Sequence, residues 1–531
     1  MRQWFSRRSS DRKGRFGLPA PNALRWTGFA GVVLLTVAVL AGPSAPGAAV
    51  PALAAGVGGV GLLVLCWALL AVGRALPGTA WLRWTAVLWG VPLLIVPPLF
   101  SGDVFSYLAQ GELAARGLDP NVVGPVDGLG AASAVVGRVS GYWQNTPSPY
   151  GPLFGVVERV IAQASAENPV AGVALHRLVE VLGLLLIAWA VPRLAVRAGA
   201  SPRIALWLGV LNPLVLWHLV AGAHNDSLML GLMLAGTAVA FDALGERIRW
   251  WPFVLGSVLI ALGAELKLPA LVALAAVGTA LARRRGGRLG DFLLAGTGMV
   301  ALFAVVSVLV SVLSGLGFGW VSALGTSGEV NSWMAPTNWF GFLIGGIGSL
   351  FGAHLTQAMI GVGKIIGYLL SAAGIVLVLR RQWTGRVDEV RALGLMLGLL
   401  VVFGPAVQPW YLLWAVLPLA ATLPAGRARN GLIALSALFA LILPPLGGNF
   451  AGRVGLLVTA YAIAVALVVV TFLVLRRPRR AELSAPADAG ATPSRTPLDA
   501  APPWWTRKSP SPAAEQPKPA APDGSNRPAA R

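Results

Sequence analysis

Charge is scarce in this sequence. Only 12% of the residues are Asp, Glu, Lys or Arg, whereas a soluble domain averages about 25%. Hydrophobic residues make up 56% of the chain, the mean hydropathy is +0.72, and many apolar runs approach the roughly 20 residues that cross a bilayer as a helix. This balance excludes a soluble globular protein. It predicts an all-α polytopic membrane protein, because helices satisfy their own backbone in lipid.

Cysteine and histidine are also scarce. Cys66 is the single cysteine and there are four histidines, so no disulfide framework and no thiolate metal site can form. No His-x3-His pattern offers zinc ligands. We therefore predict no cofactor, and a divalent metal stays open. A fixed-period internal repeat is not visible either, which is unlike the repeats of many transporters.

Lysine is rare, and most of the positive charge is arginine. The formal net charge of +20 suggests nucleic-acid binding at first, but the arginines lie between apolar runs and form no stripe with interleaved aromatics, so no nucleic-acid partner is predicted. Arginine clusters instead mark cytoplasmic loops. The clusters lie in segments 2–15, 74–83, 193–203, 247–249, 283–288, 380–391, 427–429 and 476–480. They all fall on one side of the membrane if every intervening apolar run is a span.

The apolar runs predict fourteen spans, or 12–14 when the short and interrupted ones are allowed for. The runs lie near 25–42, 54–73, 84–100, 177–192, 204–222, 227–243, 251–265, 268–282, 291–315, 357–379, 392–407, 410–424, 430–446 and 454–475. We expect a basic cytoplasmic segment at 1–24, a transmembrane domain at 25–477 and a disordered, Pro/Ala-rich cytoplasmic tail at 478–531. The predicted location is the cytoplasmic membrane, with both termini inside.

The loops between these spans on the other side face outward. The first, residues 101–176, is too long and too polar to be a simple connection. We predict helical pieces within it at 104–116, 128–140 and 152–166. A second long outward loop is expected at 316–356.

The segment FSGDVFSYLAQGELAARGLDP opens the first outward loop. Asp103 follows Ser101, a plausible N-cap, and would lie near the positive end of a helix, where its carboxylate stays ionised. Ser106, Tyr107 and Gln110 share its helical face. Val104, Leu108 and Ala115 would lie against the membrane boundary. The alternative is that Asp103 only complements the helix dipole.

Two short polar segments lie between spans on the same outward side. GAHNDSLML contains His224, Asn225 and Asp226, and ionisable residues at membrane depth are functional candidates. The alternative is a tight turn in which Asp226 caps the next helix. ELKLP contains Lys267, which would suit a lipid-linked phosphate. The alternative is a snorkelling lysine or a Glu265–Lys267 pair.

Aromatic residues are concentrated in the outward loops. An interfacial aromatic belt explains most of them, although rings also stack on the apolar faces of sugars. They are Tyr142, Trp143, Tyr150, Trp320, Trp333, Trp339, Trp410, Tyr411 and Trp414.

Five segments together resemble a known family. SGDVFSYLAQGELAARGLDP, TPSPYGPLF, GAHNDSLMLGLMLAG, ELKLPALVAL and QPWYLLWAVLPLA occur in this order. They resemble the actinobacterial polyprenyl-phosphate-mannose-dependent α-1,6-mannosyltransferases, most closely the branch that starts the mannan backbone of lipomannan. The resemblance implies the GT-C fold and an outward-facing active site, with Asp103 as general base.

The implied reaction is sugar transfer with inversion from a polyprenyl-phosphate sugar to a mannoside or lipoglycan hydroxyl. The departing phosphate needs positive charge or hydrogen-bond donors; Lys267 and His224 are the candidates, with Arg177 behind them. The residues predicted to bind substrate are Tyr107, Gln110, Tyr150, His224, Asn225, Asp226, Lys267, Trp410 and Tyr411. Three alternatives remain: a polyprenyl-linked sugar transporter or flippase, a related transferase that uses another sugar such as arabinose, and a non-catalytic scaffold.

Overall fold

A computed structural model of the chain describes residues 19–42, 49–72, 76–326, 331–445 and 453–476. Helix dominates these residues, and the single β-feature among them is an isolated antiparallel bridge between Leu244 and Ile248. Most of the predicted N-terminal segment 1–24 and the whole predicted tail 478–531 lie outside the described residues. The division into these domains therefore stays a prediction.

Nineteen α-helices occur in the described part of the chain. They are α1 (Pro21–Ala41), α2 (Ala49–Val72), α3 (Thr79–Gly90), α4 (Asp103–Ala115), α5 (Pro125–Leu129), α6 (Pro152–Ser165), α7 (Pro169–Arg197), α8 (Pro202–Ala205), α9 (Asp226–Ala243), α10 (Trp250–Ala264), α11 (Leu271–Arg285), α12 (Leu289–Ser314), α13 (Gly319–Ala323), α14 (Pro336–Leu350), α15 (Thr356–Trp383), α16 (Glu389–Phe403), α17 (Leu412–Ala420), α18 (Arg427–Ile442) and α19 (Val454–Leu475). Two π-helical segments, Leu206–Val210 and Val215–Ala221, follow α8.

Seven of these helices are long and apolar enough to cross a membrane: α1, α2, α7, α9, α12, α15 and α19. The segment from α8 to Ala221 forms an eighth candidate, bent by 59°. An all-α polytopic membrane protein is thus confirmed. Other predicted spans fall on shorter helices such as α10, α11 and α16, each of 15 residues. Such a helix is about 23 Å long, less than the roughly 30 Å of the hydrocarbon core, so the count of 12–14 spans stays a prediction.

The first long loop is confirmed in part. Helices α4 and α6 coincide with two of the three predicted pieces. The piece at 128–140 is wrong, because the chain there forms only α5 and a short 3₁₀-helix, Val136–Arg138. Gly130, at a φ of 84°, ends α5. The following span begins earlier than predicted, since the Asn168 side chain accepts hydrogen bonds from the first amides of α7.

The second long loop also contains more structure than predicted. Its Gly-rich segment 336–350 forms α14, which packs against α15 as a helical hairpin. The closeness of this contact requires glycine, because a Cβ at Gly341 would lie 2.3 Å from Ile360 Cγ1. The sequence predicts only a long loop over 316–356 and names no helix inside it, so α14 is a feature that the structure adds.

Helix α4 lies inside the protein and not at the membrane boundary. Val104 is 0% and Leu108 4% exposed, so their predicted place against the membrane is wrong, although Ala115 is exposed. Gly111 lies against the backbone of α6, where a Cβ would approach the Glu158 carbonyl oxygen to 2.3 Å. This close approach fixes the position of α4 and of Asp103 at its first turn.

Helix α9 is held in place by glycine contacts on two sides. A Cβ at Gly231 would lie 2.6 Å from the Gly183 carbonyl oxygen of α7, and a Cβ at Gly236 would lie 2.4 Å from the Gly256 carbonyl oxygen of α10. Small residues permit such backbone approach between membrane helices. The position of Asp226, the first residue of α9, is consequently set by backbone packing.

Charged side chains lie at both ends of helix α9 and at the C-terminal end of α7. At the C-terminal end of α7, Arg197 binds Glu389 at 2.9 Å and lies 3.9 Å from Asp242, near the end of α9. Asp226 lies at the other end of α9, about 24 Å from Asp242 along the helix axis. One end of the bundle is therefore rich in arginine, and Asp226 and the loops that are predicted to face outward lie at the other.

Candidate active site

A cavity of about 340 Å³ lies at the end of the bundle opposite the arginine clusters. Five of the residues predicted for the site line it: Asp103, Tyr150, Lys267, Trp410 and Tyr411. They come from four separate segments of the chain, because Trp410 and Tyr411 are neighbours. The fold thus brings together residues that are more than 300 positions apart in the sequence.

Asp103 is the first residue of α4, as its motif predicts. Its N-cap is Gly102 and not Ser101; the Ser101 hydroxyl still accepts a hydrogen bond from the Asp103 amide at 3.1 Å. The carboxylate side chain keeps 23% of its surface exposed, towards the cavity. Burial raises the pKa of Asp103 and nearby Asp226 adds to the rise, while Ser101 and Lys267 counteract it. The prediction anticipated the helix end but not this desolvation.

His224 lies against Asp103. Its Nδ1 is 3.5 Å from Asp103 Oδ2, and its side chain is fully buried. The imidazole stacks on Trp410, with ring centroids 3.7 Å apart and planes inclined by 24°. Burial, followed by His218 and Lys267, lowers the pKa of His224 well below its usual value. The ring is therefore a neutral hydrogen-bonding group beside the carboxylate and carries no charge of its own.

The backbone that presents His224 is strained. Ala223 has a φ of 51°, a left-handed conformation that a non-glycine residue adopts at a cost of about 1–3 kcal/mol. Neither ring nitrogen of His224 forms a hydrogen bond with another described residue. Strained backbone and unpartnered buried polar groups are both typical of functional sites.

Lys267 is held by an acid and surrounded by aromatic rings. Its Nζ donates to Asp226 Oδ2 at 2.9 Å, and Trp414 Nε1 donates to Asp226 Oδ1 at 2.6 Å. The same Nζ lies 4.6 Å from the ring centroid of Tyr411, 5.7 Å from that of Trp414 and 5.8 Å from that of Tyr150. Burial alone lowers the pKa of Lys267, but Asp226 and Tyr411 outweigh it and raise the pKa, so the ammonium is charged.

These contacts decide between interpretations that the sequence leaves open. Asp226 does not cap α9, because Asn225 occupies the N-cap position and the Asp226 side chain binds Lys267 and Trp414. Lys267 does not pair with Glu265, whose carboxyl oxygens form no hydrogen bond with the described residues. Lys267 instead faces the cavity.

The remaining predicted residues lie behind the cavity wall. Tyr107 packs edge-on against Tyr150, with centroids 5.5 Å apart, and its hydroxyl lies 3.5 Å from Asn225 Oδ1. Gln110 is buried at 2% exposure and does not reach the cavity. Arg177 donates to the carbonyl oxygens of Leu94 and Ala221, at 2.9 Å each. Tyr107, Asn225 and Arg177 thus support the residues that line the site.

Several residues of the cavity wall were not among the predicted site residues. Trp143 and Trp414 were noted only as outward aromatics, because an interfacial belt gives the same signal. Tyr368, Ser371 and Gln408 also line the cavity. Gln408 begins the segment QPWYLLWAVLPLA that contributes to the family resemblance, whereas no predicted motif contains Tyr368 or Ser371. Within the described ranges, no three His, Cys, Asp or Glu side chains are grouped so as to hold a metal ion.

The arrangement can support transfer chemistry. Asp103 offers a carboxylate that can accept a proton, and Lys267 offers a fixed positive charge that can hold an anion. Tyr150, Trp410 and Tyr411 provide flat apolar faces between them. A hydroxyl compound and a phosphate ester could therefore meet in one cavity.

Comparison with known proteins identifies the family. The family model described as "Alpha-(1->6)-mannopyranosyltransferase, N-terminal domain" matches residues 25–283, and the model "MptB C-terminal domain" matches residues 337–474. The site residues from Asp103 to Lys267 fall in the first match, and Trp410, Tyr411 and Trp414 fall in the second. No solved structure matches the chain.

Curated relatives agree with the family models. A protein of Mycolicibacterium smegmatis named "Probable alpha-(1->6)-mannopyranosyltransferase" is 40% identical over 443 residues, 79% of each chain. An alpha-(1->6)-mannopyranosyltransferase of Mycobacterium tuberculosis is 38% identical over 78% of this chain and 79% of its own. Alpha-(1->6)-mannopyranosyltransferase B of Corynebacterium glutamicum is 34% identical over 73% and 68%. The chain belongs to the family of alpha-(1->6)-mannopyranosyltransferases.

Proposed function

We propose that this protein transfers a mannosyl unit from polyprenyl-phosphate mannose to a hydroxyl of a mannoside or lipoglycan acceptor, with inversion at the anomeric carbon. The reaction takes place on the outer side of the cytoplasmic membrane. One observation carries the proposal: the Asp103 carboxylate and the Lys267 ammonium line a single cavity together with Tyr150, Trp410 and Tyr411. The family assignment supports mannose as the sugar.

In the proposed reaction Asp103 is the general base. The acceptor hydroxyl oxygen attacks the anomeric carbon while its proton passes to the Asp103 carboxylate. The bond between the anomeric carbon and the phosphate oxygen breaks on the opposite face, and its electron pair leaves with the phosphate. A phosphate is already a good leaving group, so the second carboxylic acid that glycoside hydrolases need is not required. A β-linked donor then yields an α-linked product.

Lys267 binds the departing phosphate. Negative charge accumulates there in the transition state, and a fixed ammonium in a water-poor site stabilises it strongly. Asp226 and the three aromatic rings hold Nζ in place before substrate arrives, so little reorganisation is needed when the charge develops.

His224 positions the base. The 3.5 Å between Nδ1 and Asp103 Oδ2 is long for a hydrogen bond, but catalytic contacts often tighten when substrate binds. A neutral imidazole that donates to Asp103 orients the carboxylate and favours its ionised form. Stacking on Trp410 keeps the ring from turning away.

The polyprenyl chain of the donor occupies a second, apolar cavity. This cavity of about 320 Å³ lies between α11, α12 and α15, and Leu271, Leu274, Gly278, Phe303 and Leu379 are among its lining residues. It begins at Leu271, directly after the 3₁₀-turn whose Leu268 and Pro269 line the polar cavity. An isoprenoid chain entering here would leave its phosphate beside Lys267.

The test compares sugar transfer by wild type, Asp103→Asn and Asp127→Asn, with labelled polyprenyl-phosphate mannose and a short α-mannoside acceptor. Asp127 is a matched control, because it lies in the first turn of the short helix α5 in the same loop and is exposed. We expect Asp103→Asn to lose about a hundredfold or more of the rate while Asp127→Asn transfers at the wild-type rate. Release of polyprenyl phosphate together with product distinguishes transfer from transport.

Two results would contradict the proposal. A folded Asp103→Asn protein with wild-type activity would remove Asp103 from the chemistry. Failure of the wild type to transfer mannose, with transfer of another sugar such as arabinose from the same carrier, would refute the proposed donor.

A further inference from the structure

A third cavity, of about 660 Å³, lies at the arginine-rich end of the bundle, far from Asp103. It is enclosed by the C-terminal end of α2, the segment from α8 to Trp207, and the first turns of α18. Its polar lining comprises Ser201, Arg203, Arg429 and Asn430. No residue of the transfer site contributes to it, so the proposed reaction leaves the cavity unexplained.

The two arginines of this cavity differ from others at the same end. Arg197 is paired with Glu389 and Arg285 with Asp291. Arg203 and Arg429, by contrast, form no ion pair and no hydrogen bond with any residue of the described ranges, and Arg429 Nε is buried without a partner. No Asp or Glu lines the cavity. No acidic side chain of the described ranges therefore compensates its two positive charges.

The rest of the wall is apolar and rigid. Ala68, Ala71, Trp207 and Ile433 line it. Trp207 stacks on Trp67 with centroids 5.2 Å apart, and each indole N–H donates to the backbone carbonyl of the other residue, at 2.9 and 3.0 Å. The wall is thus shaped before any ligand binds, and it offers apolar surface next to two guanidinium groups.

We propose that this cavity binds an anionic phospholipid, with the phosphate between Arg203 and Arg429 and an acyl chain along Trp207 and Ile433. Guanidinium groups recognise phosphate oxygens through several hydrogen bonds at once. Basic pockets between membrane helices at a bilayer surface bind lipid headgroups. The volume of 660 Å³ also exceeds what a free phosphate ion would fill, and the apolar wall fits a lipid chain.

The experiment measures lipid retained by the full-length protein in detergent, by native mass spectrometry, after addition of phosphatidylglycerol or phosphatidylcholine. We expect one phosphatidylglycerol to be retained in preference to phosphatidylcholine. Each basic residue near a membrane surface contributes about fivefold in affinity, so the variant R203Q/R429Q should bind phosphatidylglycerol about 25-fold more weakly. The control R247Q removes an exposed arginine at the same end of the bundle, outside the cavity, and should change binding less than twofold.

A second variant tests the cavity without changing charge. Ala434 lines its exposed edge, and Ala434→Trp should displace the lipid while leaving both arginines in place. An arm in which excess inorganic phosphate is added to the lipid-bound protein separates the possible sources of phosphate. Any one of four results would overturn the proposal. They are equal binding of the two lipids, equal losses of lipid binding in R203Q/R429Q and R247Q, undiminished binding in Ala434→Trp, and full displacement of the lipid by inorganic phosphate.

Discussion

The pair formed by Lys267 and Asp226 allows a quantitative test. Asp226 is 0% exposed and the Lys267 side chain 13%, and removing one member of a buried pair typically costs about 3–5 kcal/mol because the other charge stays buried. The loss of stability in Lys267→Met should lie near the upper end of this range, since the Asp226 carboxylate keeps only the hydrogen bond from Trp414. Asp226→Asn should lie near the lower end, because the ammonium retains its contact with Tyr411, a cation–π interaction worth about 2 kcal/mol when desolvated.

The double variant Asp226→Asn/Lys267→Met separates the pair from its environment. With both charges removed, no unpaired charge remains. The double variant should therefore lose about 3 kcal/mol less free energy of unfolding than the sum of the losses in the two single variants. The assay is the free energy of unfolding, measured by denaturant titration in mixed micelles. Glu389→Gln is the control: it breaks the more exposed contact with Arg197, where side-chain exposures are 26% and 21%, and should cost about 1 kcal/mol or less.

Activity gives a second readout in the same variants. The double variant should be folded but nearly inactive, because the phosphate has lost its cation while the structure has lost only a neutralised pair. A coupling energy below about 0.5 kcal/mol would refute the structural reasoning. Wild-type activity in the double variant would refute the role of Lys267 at the phosphate.

Three further predictions concern single positions. The rate constant kcat/KM should fall about tenfold per pH unit below the raised pKa of Asp103. Ser101→Ala should move this acid limb of the pH profile to higher pH, because the Ser101 hydroxyl lowers that pKa. An acid limb that does not move would argue against Asp103 as the titrating group. His224→Ala should lower kcat about a hundredfold with little change in KM. His224→Asn keeps a hydrogen-bond donor near the position of Nδ1 and should recover part of this loss. Equal rates for the two variants would count against a role of His224 in positioning Asp103. Ala275→Trp, which fills the apolar cavity, should raise KM for a long-chain donor and leave a short-chain donor unaffected; a rise for both would place the polyprenyl chain elsewhere.

The site was largely predictable because its polar residues stand out against apolar surroundings. Asp103, His224, Asp226 and Lys267 each interrupt or flank a hydrophobic run, and burial of such groups is costly unless they are partnered or used. The predicted membrane topology puts all four residues on the same side of the membrane. The structure places them around one cavity or directly against its wall. Their pairing was not predictable: Lys267 is two residues from Glu265 yet binds Asp226, 41 positions away.

Other features depend on tertiary packing that local patterns do not carry. The segment 128–140 has a helical composition, but Gly130 at positive φ turns the chain away. The segment 336–350 lies within a predicted loop but forms α14, and its Gly341 and Gly345 are required by the approach of α15. Tyr368 and Ser371 reach the cavity only through the placement of the whole helix α15, so nothing in their own neighbourhood marks them.

The glycine contacts of α4 and α9 have a consequence for how this cavity can change during evolution. Asp103 and Asp226 are carried by helices whose backbones touch their neighbours at Gly111 and Gly236, so almost any side chain introduced there moves these two carboxyl groups. The part of the wall with Tyr368 and Phe403 stands on a similar contact, because a Cβ at Gly367 would lie 2.4 Å from the Phe403 carbonyl oxygen. Variation among related proteins should therefore come through exchange of the side chains that line the cavity, because the helix backbones beneath them leave no room for a side chain at these glycines.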